Sequence, residues 1–505
     1  MAKEKKKRGF PSAFTICFIV VLIAAILSWI IPAGNYDTFA YDEDAGQFVV
    51  TSAADGSQEY YEATQETLDK FGITAHLDSF LDGTIYKPMA ISGTYTEVEA
   101  SPQGLQDFLY SAIDGMYDAV DIIVFIFMIG GCIGILNYMG AFNAGIGALS
   151  KACKGREQII IFVVTFLIAL GGTTFGMCEE TIAFYPVLIP IFIAAGYDAI
   201  TGVAAIYAGS SIGCMFSTVN PFSVVLGSYA AGVSFTNGIV FRLVGLVLGI
   251  IIVILYILKY AKKVKADPAK SLSFESREFI EKRFAAADLT NIPEFTGRMK
   301  ICLVIFLLSF VVMIWGVSSQ GWWFGEMAEL FLISGVLIGI IAGIGEKAIV
   351  REFINGASEL IGVALICGVA RAVSLLLDAG NISGTILYGL SSAVAGMPPA
   401  IFIILMMLVF VILGFFVNSS SGLALMSIPI MAPLADVVGI PREVVVSAYI
   451  YGLGIITFIT PTGMILPSLE LVDVTYDKWL KFIFPLLGIL TVLGIVLLLG
   501  QIYLG

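Results

Sequence analysis

The sequence predicts an all-α polytopic membrane protein with two inverted-topology repeats, each carrying a re-entrant hairpin and a broken helix. Three observations predict it. The 505-residue chain is 58% hydrophobic and 13% charged, whereas a soluble domain is about 25% charged. Its apolar residues gather into runs near the ~20 that a helix needs to cross a bilayer. A set of Pro-, Gly- and Asn-bearing motifs in the first half recurs in the same order in the second, the mark of an internal repeat.

Residues 1–33 are read as a first span. Lys3 to Arg8 is basic and Ala13 to Ile31 is apolar. The apolar stretch exceeds the roughly 7–15 residues of a signal-peptide core, and no small-x-small cleavage site follows. The positive-inside rule then puts the N-terminus in the cytoplasm. Residues 34–107 form an acidic extracytoplasmic loop, with Asp37, Asp42, Glu43, Asp44, Asp55, Glu59 and Glu62 against Lys70 and Lys87. This loop carries much of the acid behind the net charge of −12, which therefore says little about the membrane-facing surface. Phe48-Val49-Val50-Thr51 and Glu59-Tyr60-Tyr61 flank Asp55-Gly56, a pattern that predicts a β-hairpin. The loop is read as a solvated cap; the competing reading is an acidic funnel that concentrates cations. His76, the only histidine, is read as a bystander.

Residues 108–260 form the first repeat. Asp118 to Tyr138 runs inward, and Lys151, Lys154 and Arg156 mark a cytoplasmic turn. Ile159 to Leu170 and Ile182 to Ala195 are then read as two arms, each too short to span. Between them Gly171 to Thr181 suits a turn, with Glu179 and Glu180 near its tip at depth. Ionisable residues there are costly and usually functional, and non-helical backbone is tolerated only where it is buried or lines a wet cavity. Gly202 to Phe216 re-enters and is interrupted at Ser217-Thr218-Val219-Asn220-Pro221, because proline lacks the amide proton that continues a helix. Phe222 to Val233 completes that span and Asn237 to Tyr260 runs inward again.

Residues 261–300 are a basic cytoplasmic linker, with Lys262, Lys263, Lys265, Lys270, Lys282, Arg283, Arg298 and Lys300. Residues 301–351 hold two connecting spans, Ile301 to Val317 and Met327 to Ile344, before Lys347 and Arg351. Residues 352–505 form the second repeat. Pro429 to Pro433 matches Pro186 to Pro190, Gly439 matches Gly196, and Thr460-Pro461 matches Asn220-Pro221. Asn418-Ser419-Ser420-Ser421-Gly422 stands where the first repeat has its acidic tip. The charge flanks of the two halves are opposite, which predicts inverted topology. Inverted repeats with broken helices and a midplane site are the architecture of secondary transporters.

These residues resemble the ion-transporter superfamily, in which each repeat carries a polar hairpin tip and a broken helix with a hydroxyl or Asn before Pro. Within it, Trp29-Ile30-Ile31-Pro32-Ala33-Gly34-Asn35-Tyr36, Gly176 to Pro186 and Ile459-Thr460-Pro461-Thr462-Gly463 are similar to the YfcC-type family. That family is grouped with the anaerobic C4-dicarboxylate carriers and labelled as basic amino-acid antiporters. The resemblance covers nearly the whole chain. It implies a cytoplasmic-membrane carrier of small carboxylates or amino acids, and a homodimer. The superfamily's dicarboxylate members carry Ser-Asn-Thr at both tips. Here the first tip reads Cys178-Glu179-Glu180-Thr181, and only the second, with Asn418-Ser419-Ser420, is close.

Two desolvated carboxylates cannot both stay charged without a cation. Glu179 and Glu180 are therefore expected to hold a proton, Na⁺ or the cationic end of a substrate, with one of the two bonded to backbone as a structural group. A dianion beside them is repelled. The predicted function is secondary transport of amino acids, basic ones preferred, by exchange or by Na⁺ or H⁺ coupling; the alternative is C4-dicarboxylate transport. Thr181, Ser217, Thr218, Asn220, Asn418, Ser419, Ser420, Thr460 and Thr462 complete the expected substrate or coupling-ion set. Among them Ser217, Asn220, Asn418 and Thr460 offer the oxygen shell that suits Na⁺, although Ser and Thr also serve helix packing. Arg371 stands inside an apolar span. It is suited to clamp a carboxylate or to pair with Asp378 or Asp121, the pair being favoured. Arg242, near a span end, is read as snorkelling.

Other classes find little support. No HExxH or paired-aspartate motif supports an enzyme, and no nucleotide or nucleic-acid motif is present. The seven cysteines lie in or beside apolar segments and form no disulfide framework or metal set. Hairpins folding back from opposite faces suit an occluded site better than an open channel. The expected partners are a small-molecule substrate and the bilayer; no cofactor beyond a coupling ion is expected.

Overall fold

A computed structural model gives the architecture and describes residues 11–142, 144, 145, 148, 156–277, 294–320, 322–417 and 419–504. Lys3 to Arg8, Lys151, Lys154, Lys282, Arg283 and Asn418 lie outside the described residues. Among those described, ten helices are long and apolar enough to cross a membrane. The first, α1 (Ala13–Ile30), starts at Ser12, whose hydroxyl accepts the Thr15 amide, satisfying a donor that an uncapped first turn leaves open.

The acidic loop departs from an all-helical chain. It folds into strands β1 (Gly34–Asn35), β2 (Thr38–Asp42), β3 (Gln47–Thr51), β4 (Gln58–Glu62), β5 (Met89–Ala90) and β6 (Thr96–Glu97), with short helices α2 (Gln65–Lys70) and α3 (Asp78–Leu81). The expected hairpin is β3–β4, antiparallel, with Val49 opposite Tyr60. It belongs to a sheet in the order β4-β3-β2-β5. Phe39, Phe48 and Phe80 form the core beneath the sheet, with ring centroids 4.7 to 5.8 Å apart. Each is fully buried, and burying such a side chain contributes roughly 1.5–3 kcal/mol. The segment is a folded cap rather than a solvated loop. Its β5 packs on the helix Ser420–Val437 of the second half.

The remaining helices fall into two similar series. The first runs α4 (Leu105–Asp118), α5 (Val120–Tyr138), α6 (Gln158–Phe175), α7 (Tyr185–Ala194), α8 (Ala199–Met215), α9 (Leu226–Ala230) and α10 (Ile239–Ala266). Two connecting helices follow, α11 (Gly297–Gln320) and α12 (Phe324–Ala342). The second series is α13 (Glu346–Glu359), α14 (Ile361–Ala379), α15 (Ser383–Val394), α16 (Pro399–Phe416), α17 (Ser420–Val437), α18 (Arg442–Thr457), α19 (Ile465–Leu471) and α20 (Tyr476–Leu504). In each series a more polar helix precedes an apolar one, and a helix–tip–helix hairpin, an interrupted helix and a long closing helix follow; in the second, α15 stands before the hairpin. The packing follows the same order: α4 lies on α14 and α5 on α13, while α6 packs on α8 and α16 on α18. The two interrupted helices, α8 and α18, also touch.

Two expectations are corrected. The first hairpin arm does not stop at Leu170. Helix α6 runs through Gly171 and Gly172 to Phe175, 18 residues, or ~27 Å at 1.5 Å per residue. These glycines serve packing and not the turn: a Cβ on Gly172 would stand 2.6 Å from the Ser210 carbonyl oxygen of α8. Only α7, with 10 residues, is a short arm. Arg242 does not snorkel. It is fully buried and donates to the carbonyls of Asn237, at 3.0 Å, and Phe235. Those carbonyls lie in the turn just before α10, where a guanidinium can satisfy both at once.

Candidate functional site

The first hairpin turns at Gly176, which has φ +76°. A Cβ there would meet the Asn220 amide nitrogen at 2.7 Å, so both the left-handed backbone and the close approach require glycine. The chain then forms a 3₁₀ turn, Glu179–Phe184, before α7. Glu180 is buried and its carboxylate accepts the Cys178 amide at 3.0 Å. Thr181 donates to the Cys178 carbonyl at 2.5 Å. Both therefore hold the tip's own backbone. Glu179 is half-buried, and no described residue donates to its carboxylate.

The first break is stitched to the end of α6. Thr173 Oγ1 accepts the Thr218 amide at 2.9 Å and lies 3.0 Å from the Thr218 hydroxyl. Ser217 Oγ donates to the Thr173 carbonyl at 3.4 Å and accepts the Asn220 amide at 3.2 Å. Asn220 Oδ1 accepts the Phe222 amide at 2.9 Å, just beyond Pro221. At the second break, Thr460 and Thr462 hydroxyls lie 2.6 Å apart, and Thr462 donates to the Phe415 carbonyl at 3.2 Å. The carbonyls released there are met by side chains from elsewhere: Tyr207 reaches Thr457 at 2.7 Å, Trp479 reaches Phe458 at 2.9 Å, and Tyr476 reaches Ile459. Tyr207 comes from a π-helical turn in α8, Ala204–Ala208. These donors satisfy the carbonyls that the interruption leaves without helical partners.

The second tip caps α17. Ser419 Oγ accepts the Gly422 amide at 3.1 Å, and Tyr449 donates to the Ser420 carbonyl at 2.6 Å. The cap reaches the same tip: Tyr86 OH lies 3.3 Å and Lys87 Nζ 3.2 Å from Ser421 Oγ.

Between the two tips lies a cavity of about 180 Å³, many times the roughly 10–15 Å³ that one water needs. Of the residues singled out in the sequence, Glu179, Glu180, Asn220, Arg371, Ser419 and Ser420 line it. Thr181, Ser217, Thr218, Thr460 and Thr462 do not, being engaged in the contacts just described. Of the set expected to hold Na⁺, Ser217 and Asn220 share the first break, Thr460 belongs to the second, and Asn418 lies outside the described residues.

Arg371 does not pair with Asp378 or Asp121. Its Nε lies 3.4 Å from Asp118 Oδ2, because α4, which ends at Asp118, packs along α14. Asp378 accepts from Ser383 at 2.6 Å and Asp121 from Trp323 at 3.0 Å.

Sequence reasoning missed Lys87, Trp322, Trp323 and Phe324, which also line the cavity. The available signal for Lys87 was its rarity: with Lys70 it is one of two cations in the acidic loop. Burial pushes the Lys87 ammonium below its usual pKa, the Arg371 charge adds to the effect, and Asp118 opposes it. The cavity wall thus carries two carboxylates and two cations.

Among the described residues, ten apolar helices, paired helix interruptions and a charged cavity between two hairpin tips are the features of a membrane transporter. The chain belongs to the C4-dicarboxylate anaerobic carrier family, whose model matches residues 10–503. An uncharacterized protein of Haemophilus influenzae (strain Rd) is 48% identical, over 99% of this chain and 98% of that one. The Escherichia coli (strain K12) protein named "Putative basic amino acid antiporter YfcC" is 31% identical, over 100% of this chain and 98% of that one. Among solved structures, the Alcanivorax borkumensis YdaH transporter aligns over 98% of both chains at 16% identity, but its TM-score of 0.41 carries no argument.

Proposed function

We propose that this transporter moves amino acids, basic ones preferred, by alternating access, through exchange or through coupling to Na⁺ or H⁺. The observation that carries the reading is the Glu179 carboxylate at the cavity wall, to which no described residue donates, with Glu180 beside it. A guanidinium or ammonium entering the cavity neutralises Glu179, and the rings of Trp322 and Trp323 offer it cation–π contacts. The name of the 31% identical E. coli protein supports the same class. On this reading Glu180, Thr181, Ser217, Thr218, Thr460 and Thr462 hold the tips and breaks in shape. Asn220, Ser419, Ser420 and Arg371 face the substrate or its coupling ion. The two helix series are inverted repeats in the cell membrane, the hairpins are re-entrant and the N-terminus is cytoplasmic.

The test is counterflow of labelled arginine into proteoliposomes loaded with unlabelled arginine or ornithine, comparing wild type with Glu179→Gln. A second reading, C4-dicarboxylate transport, draws on Arg371 and Lys87 at the cavity wall and on the description of the family. Counterflow of succinate or fumarate without arginine counterflow would establish it in place of the first.

A further inference from the structure

Lys87 is the one cavity-lining residue that comes from the β-cap. It is half-buried and lies on the short stretch between α3 and β5. One of its three donors is taken by Ser421 at the second tip, 3.2 Å away; an ammonium can make two more. Arg371 lines the same cavity from α14. Its partner Asp118 is 3.4 Å away and part-exposed, and offsets one cation, not two. Two partly desolvated cations near one another repel unless an anion joins them. The N-terminus of the 18-residue α17 adds positive potential at the same place. On the facing tip stand Glu179 and Glu180. The cavity is therefore polarised, negative at the first tip and positive where the cap meets the second.

We propose that Lys87, delivered by the cap, forms with Arg371 a subsite for the substrate's α-carboxylate, opposite Glu179, which takes its cationic end. This deepens, and rests on, the amino-acid reading above: the substrate is a zwitterion held at both ends, and an amine without the carboxylate, held at one end only, binds more weakly. It also gives the cap a part in recognition. Because β5 packs on α17 and Lys87 lies just before it, lifting the cap removes one wall of the carboxylate subsite and frees the substrate.

The experiment is arginine counterflow in proteoliposomes of the full chain, with agmatine, which is arginine without its carboxylate, as competitor. Wild type, Lys87→Gln and Lys87→Arg are compared. Losing a charge-assisted hydrogen bond to the carboxylate raises the half-saturating arginine concentration about 10-fold or more in Lys87→Gln. Inhibition by agmatine stays the same, which also reports that the variant is folded. Lys87→Arg keeps arginine affinity within about 3-fold, since its guanidinium binds carboxylates equally well. If arginine and agmatine weaken together in Lys87→Gln, or neither changes, Lys87 is structural and the proposal fails while the amino-acid reading stands. If the wild type gives no arginine counterflow, both fail.

Discussion

The carboxylate of Glu180 accepts the amide of Cys178 at 3.0 Å, and this bond separates two adjacent glutamates into different tasks. Glu180 closes the hairpin tip on itself. Glu179 is left facing the cavity, and no described residue donates to it. Removing the acceptor at Glu180 leaves a part-buried amide without its partner, at a cost of about 1 kcal/mol. Glu180→Ala is therefore expected to lower the melting temperature of the detergent-solubilised protein by a few degrees. Glu179→Gln is expected to leave it unchanged. The reverse order of melting temperatures would contradict this division.

Gly176 is the point on which the tip turns. Its φ of +76° and the 2.7 Å approach of Asn220 leave no place for a side chain. Gly176→Ala should cost about 1–3 kcal/mol from backbone strain alone, and it should displace Asn220 from the cavity wall. Thermal melting together with transport will show a loss in both. Gly362→Ala, where a Cβ meets nothing within 4 Å, should show neither.

Arg371 and Asp118 form an ion pair whose side chains are 30% and 45% exposed, and such pairs contribute only about 0–1 kcal/mol. If Arg371 serves the substrate, Asp118→Asn should keep transport within about 3-fold, whereas Arg371→Gln should reduce it at least about 10-fold. Equal losses in initial uptake rate would make the ion pair the reason for Arg371.

Lys87 titrates below its ordinary value of 10.5 because burial and the Arg371 charge disfavour its ammonium. Between the lowered pKa and 10.5 the unfolded chain binds more protons than the folded one, so stability rises with pH across that window. The melting temperature of wild type relative to Lys87→Gln should therefore climb from neutral pH toward 10.5. A carboxylate bound beside Lys87 favours the ammonium and should flatten the rise. A difference independent of pH would show that Lys87 does not titrate in this range.

Much of the architecture is legible in the chain because hydropathy and helix breakers act locally. The apolar runs give the spans, Pro221 and Pro461 give the interruptions, and Gly176 with the glutamates gives the first tip. The alternation around Asp55-Gly56 gives β3 and β4. What was missed depends on packing between distant segments. Asp118 meets Arg371 only because α4 lies on α14, and Lys87 reaches Ser421 across 334 residues of chain. Gly171 and Gly172 look like turn residues in sequence. Their helical role is set by the closeness of α8, where Gly213 in turn leaves room for the Ala169 carbonyl. The hydroxyls at the breaks were expected to face an ion; Ser217 and Thr462 instead donate to carbonyls at the ends of α6 and α16.

The central claim is that Glu179 neutralises a cationic substrate, and arginine counterflow with wild type and Glu179→Gln tests it most directly. Wild type should accumulate labelled arginine, and Glu179→Gln should lose at least about 10-fold of that accumulation, with the melting temperature retained. Counterflow of succinate or fumarate, with none of arginine, would contradict it.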